Sequence, residues 1–370
     1  MGIKNLMKLL TSKSPDAIYE IQNSELKNKK VAIDTSIILY QFITAIRSSG
    51  ADLKNKEGKS TSHIHGILIK TLNCLKVGII PVHIFDGKPP ELKMKILNDR
   101  MKIKKNALSK LDEIQHQEKD KKEEKYKEEK EEKIKLLKMS VSISQEEMLE
   151  AIEIVNLLGV PVINAPEEAD SQCAYLSVNN LVDYVASEDM DLLTFGTKKL
   201  LKNFMKKTMY CVDLDDILNQ GEITMDQFID LCILLGCDYT DTISGIGLKR
   251  AWDIIKKYKS LNKFIEKDPK IASNTYVLPN NFRYEESREY FKNPRHTDEF
   301  ELNLSVPKLD ELKMLLINKY NFDEEHIEKL IGFLRKTHNL YDQTNYVNDP
   351  FIDDDMKVSK KKVKNINKYK

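Results

Sequence analysis

Short continuous apolar runs alternate along the chain with stretches in which apolar residues recur every three or four positions. Continuous runs are typical of parallel strands buried on both faces, and the wider spacing is typical of helices that bury one face. The predicted strands span residues 30–33, 79–85, 160–163 and 184–186. The predicted helices between them span residues 37–46, 64–76, 146–158 and 169–179. This alternation predicts an α/β fold with a central, mainly parallel sheet flanked by helices.

The pattern changes after Gly221, where helices are predicted without intervening strands. Helical spacing covers residues 224–235, 248–258 and about 323–336. The stretch 268–307 carries Pro and Asn residues and is predicted to form surface loops. After Asp355 the chain has seven Lys and no acidic residue, a composition that predicts a disordered tail.

A strongly polar segment interrupts the α/β pattern between about residues 92 and 140. Lys and Glu alternate from residue 119 onward, and many opposite charges lie four positions apart, which favours a solvated helix. Leu108, Leu111 and Ile114 are not followed by a sustained heptad, so a coiled coil is disfavoured. The segment is expected to project from the sheet. Composition alone leaves open a charged surface helix without a function.

Charge and cysteine content narrow the class of protein. The 370 residues include 59 basic and 58 acidic side chains, so the distribution of charge along the chain is more informative than the net charge of +1. Five Cys without a C-x-x-C pair and seven dispersed His disfavour zinc and favour reduced thiols. The first residues lack the apolar core of a secretory signal, and no apolar run reaches the about 18 residues of a membrane span. We therefore expect an intracellular protein.

Acidic residues recur where predicted strands end. The carboxyl ends of parallel strands share one edge of the sheet, and ligands bind at that edge in open α/β folds. Six acids follow the four strands and a seventh follows an apolar helix: Asp34, Asp86, Glu168, Asp170, Asp189, Asp191 and Asp238. A single Asp in such a position is more often a helix N-cap, because its side chain accepts hydrogen bonds from free N–H groups.

The number of these acids favours a metal site over separate caps. Carboxylates held close together repel, and without cations several would have to take up protons. An all-oxygen ligand set suits Mg²⁺ or Mn²⁺ rather than zinc. Two such ions about 4 Å apart can activate a water molecule and stabilise the leaving oxygen in phosphodiester hydrolysis. We therefore predict two Mg²⁺ ions per chain, which Mn²⁺ can replace.

Five stretches around these acids resemble the flap endonuclease family, within the structure-specific 5′ nucleases of XPG type that have a PIN-like core. They read VAID (31–34), FDGKPPELK (85–93), APEEAD (165–170), EDMDLLTFG (188–196) and LLGCDY (234–239). Their order and spacing match the family from Met1 to about Tyr341. The resemblance implies a helical arch, a helix-turn-helix DNA clamp and cleavage at the base of 5′ flaps, with 5′–3′ exonuclease activity as a second mode.

The resemblance also assigns roles to particular residues. The family's metal ligands fall on the seven acids named above, with Asp170 standing where the family commonly has Glu. Its two catalytic cations fall on Lys93 and Arg100, which could neutralise charge on the scissile phosphate. The charged segment corresponds to the arch, through which a 5′ strand would thread. Tyr40 matches an aromatic residue that stacks on a base near the cut, and core packing is the alternative for it.

A glycine-bearing turn at 242–251 matches the family's clamp, which grips the phosphates of one strand without reading bases. The candidate DNA contacts are Gly245, Gly247, Lys249 and Arg250, with Tyr40 and Arg47 nearer the chain start. The glycines permit a close backbone approach, and the helix that follows begins with free N–H groups. In the family the loop carbonyls can also hold K⁺. A Gly-x-Gly pair alone also occurs in plain helix connections. The region 50–61 corresponds to the family's site for a one-nucleotide 3′ flap.

Four parts are predicted along the chain. They are an N-terminal nuclease region (1–91), the arch (92–146), an internal nuclease region (147–345) with the clamp at about 224–258, and a basic tail (346–370). The tail is a nuclear address, a nonspecific DNA contact or a solubilising segment. Residues 343–346 match the family's sliding-clamp motif poorly, so clamp binding is not expected.

The predicted function is flap endonuclease action on flapped or nicked DNA, in DNA replication and repair. We expect a monomer without membrane contact, in the nucleus or at another site of DNA replication. A close alternative is a mainly exonucleolytic relative with another junction preference. A more distant one is a catalytically weak scaffold that binds DNA junctions. The complete acid set favours the enzyme.

Overall fold

The computed structural model describes residues 2–48, 53–117 and 123–341, with the backbone alone at 47–48, 115–117, 123–130 and 337–341. The strands in this part are β1 (Ile18–Ile21), β2 (Lys30–Asp34), β3 (Ile80–Phe85), β4 (Val162–Asn164), β5 (Tyr184–Ala186), β6 (Lys199–Lys202) and β7 (Met209–Asp213). They form one sheet in the order β1-β7-β6-β5-β2-β3-β4.

Helices account for most of the rest. The first eight are α1 (Leu6–Lys13), α2 (Thr35–Ser48), α3 (Ser62–Lys76), α4 (Met94–Gln117), α5 (Glu123–Ser140), α6 (Gln145–Leu157), α7 (Ala169–Val178) and α8 (Asp191–Thr194). The next eight are α9 (Leu214–Gly221), α10 (Met225–Leu235), α11 (Leu248–Tyr258), α12 (Leu261–Lys267), α13 (Pro269–Ala272), α14 (Tyr284–Lys292), α15 (Leu309–Asn318) and α16 (Glu324–Tyr341). Short 3₁₀ turns lie at Pro15–Ala17, Asn23–Leu26 and Glu91–Lys93.

The centre of the sheet is parallel, as the alternation of strands and helices predicts. Strands β5, β2, β3 and β4 run in the same direction, and β6 continues parallel to β5. Asp34 is level with Ile84, and Phe85 is level with Asn164, so the carboxyl ends of these strands lie close together. Only the β6–β7 and β7–β1 pairs are antiparallel. The predicted α/β class is confirmed.

Both faces of the central strands are buried, which explains their continuous apolar sequence. Ala32 packs in a cluster with Leu192 and Leu234, whereas its neighbours Val31 and Ile33 pack in a separate cluster. All three strand residues are fully buried. A sheet covered on both faces presents its functional groups only at its edges. The site must therefore lie at the end of the strands.

The four predicted strands are all present, with small shifts at their ends, but β1, β6 and β7 were not predicted. Each is short, and Lys199 and Lys202 bound β6, so the apolar signal is weak. The prediction of loops throughout 268–307 is wrong, because α13 and α14 lie within it. Helix α14 is short, and five of its nine residues are charged, so its apolar signal is sparse.

The charged segment folds mainly as two helices that pack against each other. Ala107 and Leu111 of α4 meet Leu136 of α5 in a small buried cluster. Among the described side chains, Ile114 and Leu137 extend this contact. The predicted tail at 346–370 lies outside the described residues. Among the described helices, none combines the length and apolar character needed to cross a membrane.

Candidate active site

The carboxyl edge of the sheet opens into a cleft of about 340 Å³. Nine of the residues predicted for the site line it: Asp34, Asp86, Glu168, Asp170, Asp189, Asp238, Tyr40, Lys93 and Arg100. Asp191 is not among the lining residues, but its backbone N–H donates to Asp189 Oδ1 at 3.1 Å. The strand-end acids, the base of α4 and the loop after α10 therefore meet in one place. We call this the acid cleft.

Two of these acids cap helices as well as facing the cleft. Asp34 Oδ1 accepts a hydrogen bond from the Ile37 N–H at 3.2 Å, in the first turn of α2. Asp86 Oδ1 accepts one from the Ala169 N–H at 2.8 Å, at the start of α7. Capping and a second role are compatible, because a carboxylate has two oxygens with several lone pairs. Asp34 Oδ2 accepts a further hydrogen bond from Ser187 Oγ at 3.0 Å.

The backbone at Gly2 packs directly against the Asp189 and Asp191 carboxylates. Gly2 has a φ of +78°, and a Cβ added there would lie 1.8 Å from Asp189 Oδ1 and 2.4 Å from Asp191 Oδ1. Only glycine combines this conformation with so close an approach. This contact was not predicted from the sequence, and the Met-Gly start is its only sequence signal.

Two tyrosines and a lysine surround Glu168. Its Oε2 accepts hydrogen bonds from the Tyr239 hydroxyl at 2.6 Å and the Tyr290 hydroxyl at 3.3 Å. Its Oε1 accepts a hydrogen bond from Lys93 Nζ. Sequence reasoning missed both tyrosines as site residues. Tyr239 stands in the LLGCDY stretch beside Asp238, whereas Tyr290 lies on α14, far from every predicted motif.

Lys93 and Arg100 bring positive charge to the rim of the cleft. Lys93 Nζ lies between Glu168 and Asp238, 3.5 Å from Asp238 Oδ2. Arg100 Nη2 lies 2.7 Å from the same Asp238 oxygen. Burial on its own would lower the pKa of Lys93, but the carboxylates of Glu168, Asp170 and Asp238 outweigh it and raise that pKa. Lys93 therefore stays an ammonium ion despite its burial.

Three of the remaining acids are buried and crowded, which disfavours their charged forms. Burial and the nearby Asp86 carboxylate raise the pKa of Asp34 to about 8. Burial and neighbouring carboxylates also raise the pKa values of Asp170 and Asp191. Within the described part of the chain, one buried oxygen of each of these two residues, Oδ1, accepts no hydrogen bond. Crowded, incompletely paired carboxylate oxygens fit hard divalent cations such as Mg²⁺.

The acid cleft does not contain a ready-made cage of the zinc type. In the described ranges, no three His, Cys, Asp or Glu side chains are grouped closely enough to enclose a metal ion by themselves. Lys93 and Arg100 hold two of the acids in ion pairs. Magnesium retains several of its waters and binds few side chains directly, so an open cluster also suits it.

Tyr40 lies at the side of the cleft and is half-buried. Its hydroxyl donates to the Lys138 carbonyl at 3.2 Å, which joins α2 to the end of α5. Its position on the wall of the cleft is compatible with the predicted stacking on a base. Arg47 belongs to α2, but its side chain lies outside the described residues.

The predicted clamp residues lie apart from the cleft, in the connection between α10 and α11. Gly245 has a φ of +83°, and its carbonyl accepts a hydrogen bond from Arg250 Nη1 at 2.5 Å. Gly247 is the N-cap of α11, and a Cβ there would meet no atom within 4 Å. Lys249 and Arg250 are exposed in the first turn. The connection therefore presents a helix N-terminus and two cations to solvent.

An ion pair ties the base of α4 to this connection. Lys95 Nζ lies 2.6 Å from Asp241 Oδ1 and 2.5 Å from Oδ2. Three residues before Asp241, Asp238 accepts from Arg100 of the same helix. The first helix of the charged segment thus contacts the clamp connection at both the acid cleft and its outer side.

Sequence comparison places the chain among known proteins. Residues 1–107 match the XPG N-terminal domain and residues 159–238 match the XPG I-region. Flap endonuclease 1 of Nematostella vectensis is 37% identical over 346 residues, which cover 91% of this chain and 88% of that protein. The chain belongs to the flap endonuclease family.

Other members of the flap endonuclease family differ more from this chain in length. Flap endonuclease 1 of Plasmodium knowlesi is 38% identical over 364 residues, which cover 93% of this chain. The chain spans 59% of that relative's length and 56% of the Plasmodium vivax relative's length.

Solved structures show the same fold. Flap endonuclease-1 from Methanococcus jannaschii has a TM-score of 0.66 and 29% identity, covering 88% of this chain and 97% of that one. The catalytic core of Rad2 in complex with a DNA substrate has a TM-score of 0.67 at 22% identity, a likeness of fold alone. The mixed sheet and its helical surroundings are therefore those of this family.

Proposed function

We propose that this protein is a structure-specific DNA endonuclease that hydrolyses a phosphodiester at the base of 5′ flaps, with 5′–3′ exonuclease activity as a second mode. Its substrates are flapped or nicked DNA formed in replication and repair, and it acts as a monomer. Membership of the flap endonuclease family supports this assignment. The main observation behind the proposal is the acid cleft, which six predicted metal ligands line together with the cationic side chains of Lys93 and Arg100.

The acid set is the proposed site of two Mg²⁺ ions, which Mn²⁺ can replace. The ions would be held by the seven acids, with some of them acting through bound water. Bound there, divalent ions would lower the pKa of the attacking water and stabilise the leaving oxygen. The unpartnered Oδ1 atoms of Asp170 and Asp191 support this assignment, because a buried carboxylate oxygen without a partner is otherwise costly.

Lys93 and Arg100 are the proposed catalytic cations. Both side chains reach the acid cleft from the start of the charged segment, and both now pair with Asp238. A phosphodiester entering the cleft would offer them a second anionic partner. Their charge would then stabilise the extra negative charge that develops on the scissile phosphate in the transition state.

The remaining predicted contacts would position the DNA. Tyr40 would stack on a base beside the cut, and helices α4 and α5 would form the arch around the 5′ strand. Lys249 and Arg250 would hold phosphates of the duplex at the N-terminus of α11. The proposed K⁺ site is the same loop, where the ion would compete with the Arg250 hydrogen bond to the Gly245 carbonyl.

Cleavage of a labelled double-flap DNA with Mg²⁺ tests the proposal, using Asp189→Asn as the inactive variant. Asparagine keeps the Oδ1 that accepts from Asp191 but removes the charge. Asp215→Asn is the matched control, since Asp215 is exposed in the first turn of α9. We expect incision at the flap junction, lost with Asp189→Asn and retained with Asp215→Asn.

Other outcomes separate the alternatives. Junction binding without cleavage would contradict the endonuclease and support a scaffold. Equal cutting of single-stranded DNA would indicate a less selective nuclease. Removal of nucleotides from free 5′ ends without incision at the junction would indicate a mainly exonucleolytic relative.

A further inference from the structure

Glu168 is held by two kinds of partner, one on each oxygen. Oε2 accepts from two neutral phenols, Tyr239 at 2.6 Å and Tyr290 at 3.3 Å. Oε1 accepts from the ammonium of Lys93. An ammonium ion and a divalent cation both bring positive charge to a carboxylate oxygen, whereas a neutral phenol only donates a hydrogen bond to it. The two oxygens are therefore chemically distinct.

We propose that Tyr290 is a positioning residue for the metal site, which fixes the Glu168 carboxylate so that Oε1 faces the acid cleft. This inference rests on the proposed function, because it takes Glu168 as a metal ligand. With Oε2 held by Tyr239 and Tyr290, the plane of the carboxylate is set before any ion arrives. Outer partners of this kind orient ligands and raise metal affinity.

The position of Tyr290 is set by packing. Its ring lies 4.9 Å from that of Tyr239 and 5.7 Å from that of Phe195, edge-on to both. The next residue, Phe291, is 1% exposed and contacts the same two rings. This edge-to-face packing limits the positions open to the ring and places its hydroxyl 3.3 Å from Glu168 Oε2, with the Glu167 side chain as a second neighbour.

An ion pair anchors the helix that carries Tyr290. Arg288 Nε lies 2.7 Å from Asp230 Oδ1, and Asp230 is buried in α10. The other oxygen of Asp230 accepts from the Leu261 N–H at 2.8 Å, at the start of α12. Helix α14 is thus attached to α10 within one turn of Tyr290, and the same carboxylate joins α10 to α12. A group held this firmly can fix the orientation of its partner.

The test compares Tyr290→Phe with Tyr284→Phe. Both tyrosines lie on α14, but the Tyr284 hydroxyl donates to Glu285 at 3.1 Å and accepts from Asn262 at 3.2 Å, away from the acid cleft. The first readout is Mn²⁺ binding to the DNA-free protein by calorimetry. We expect Tyr290→Phe to raise the Kd for Mn²⁺ about 10-fold and Tyr284→Phe to leave it unchanged. Tyr239→Phe should weaken binding more, because its hydrogen bond is shorter.

The second readout is the Mg²⁺ dependence of flap cleavage. The Mg²⁺ concentration for half-maximal rate should rise by the same factor in Tyr290→Phe, while the rate at saturating Mg²⁺ stays within about 2-fold of the unsubstituted protein. A general loss of structure would lower Tm and the saturated rate together. Equal Mn²⁺ affinity in Tyr290→Phe and the unsubstituted protein would overturn the proposal, as would the same weakening in Tyr284→Phe.

The two proposals fail in different ways. If the unsubstituted protein binds Mn²⁺ but does not cut, the nuclease function fails, and the binding comparison still decides the role of Tyr290. If it cuts the flap and Tyr290→Phe has normal Mn²⁺ affinity, the function stands and the positioning role fails. If it binds no Mn²⁺, both fail.

Discussion

The Asp86 carboxylate and the Ala169 N–H are joined by a hydrogen bond of 2.8 Å across the acid cleft. Asp86 follows β3, and Ala169 begins the helix that carries Asp170. The acid at the end of one strand thus caps the helix that follows another. Asp86 therefore caps a helix, and the same side chain is also a predicted metal ligand.

Substitutions at Asp86 should separate these two roles. Asp86→Asn keeps an oxygen that can accept from Ala169 but removes the negative charge, so we expect a stable protein that does not cleave flap DNA. Asp86→Ala removes both the accepting oxygen and the charge, and should also lower the free energy of unfolding by about 1 kcal/mol. Urea denaturation and flap cleavage measure the two effects. Cleavage at the normal rate by Asp86→Asn would contradict its role as a metal ligand.

Arg100→Ala should slow cleavage with little effect on stability. The Arg100–Asp238 pair is 42% exposed on the arginine side, so its loss should cost at most about 1 kcal/mol of unfolding free energy. If Arg100 stabilises the transition state, the single-turnover rate should fall about 10²-fold. The matched control is Lys102→Ala, since Lys102 lies on the same helix, is 77% exposed and pairs with Asp99. Equal rates in the two variants would rule out a catalytic role for Arg100.

Gly2→Ala should impair the acid cleft without unfolding the protein. The added Cβ would overlap the Asp189 and Asp191 carboxylates, and displacement of catalytic groups by about 1 Å can cost about 10²-fold in rate. Gly58→Ala is a close control on flap DNA that lacks a 3′ flap, because Gly58 lies in the region 50–61 but has a φ of +79° and nothing within 4 Å of a Cβ. Both variants bear the same backbone strain, and only the first has the overlap. If both variants cleave flap DNA equally well, the packing of Gly2 on the acids does not affect cleavage.

The acids could be located from sequence because β2, β3 and β5 are apolar runs that end in or beside an acid. Parallel pairing then brings Asp34 and Asp86 to one edge, as the register shows. No comparable signal points to Tyr290, which lies 122 residues from Glu168 in a short, strongly charged helix. Its contact depends on how α14 packs against α10. Local sequence patterns contain no information on that packing.

Removing single clamp cations should weaken DNA binding without changing its sequence preference. Lys249 and Arg250 are exposed at the start of α11, where phosphate contacts carry no base information. We expect Lys249→Ala and Arg250→Ala each to reduce the slope of log K against log salt by about 1. Lys263→Ala, exposed on α12, is the control. Fluorescence anisotropy with two duplex sequences measures both the salt dependence and the sequence preference of binding. An unchanged slope would show that these residues do not contact the DNA phosphates.

His83, which is buried in β3, should contribute stability that is lost at acid pH. Its Nδ1 lies 2.9 Å from Thr35 Oγ1 and its Nε2 lies 3.0 Å from Thr71 Oγ1. Burial, with a smaller effect of the Lys70 ammonium, lowers the pKa of His83 to about 3. In the unfolded chain its pKa is about 6.5, so between these values the unfolded state binds the extra proton. This contribution to stability is complete above pH 6.5 and is lost as the pH falls towards 3.

The expected loss by pH 5 is about 2 kcal/mol of unfolding free energy, from 1.5 pH units at about 1.4 kcal/mol each. His83→Gln isolates it, because glutamine can donate to one threonine hydroxyl and accept from the other without titrating. Other groups titrate identically in both proteins, including Asp34, whose raised pKa acts in the opposite direction. The difference in unfolding free energy between the two proteins, from urea denaturation, should therefore shrink by about 2 kcal/mol between pH 7 and pH 5. A difference that stays constant over this range would mean that His83 takes up its proton within the folded protein as readily as in the unfolded chain.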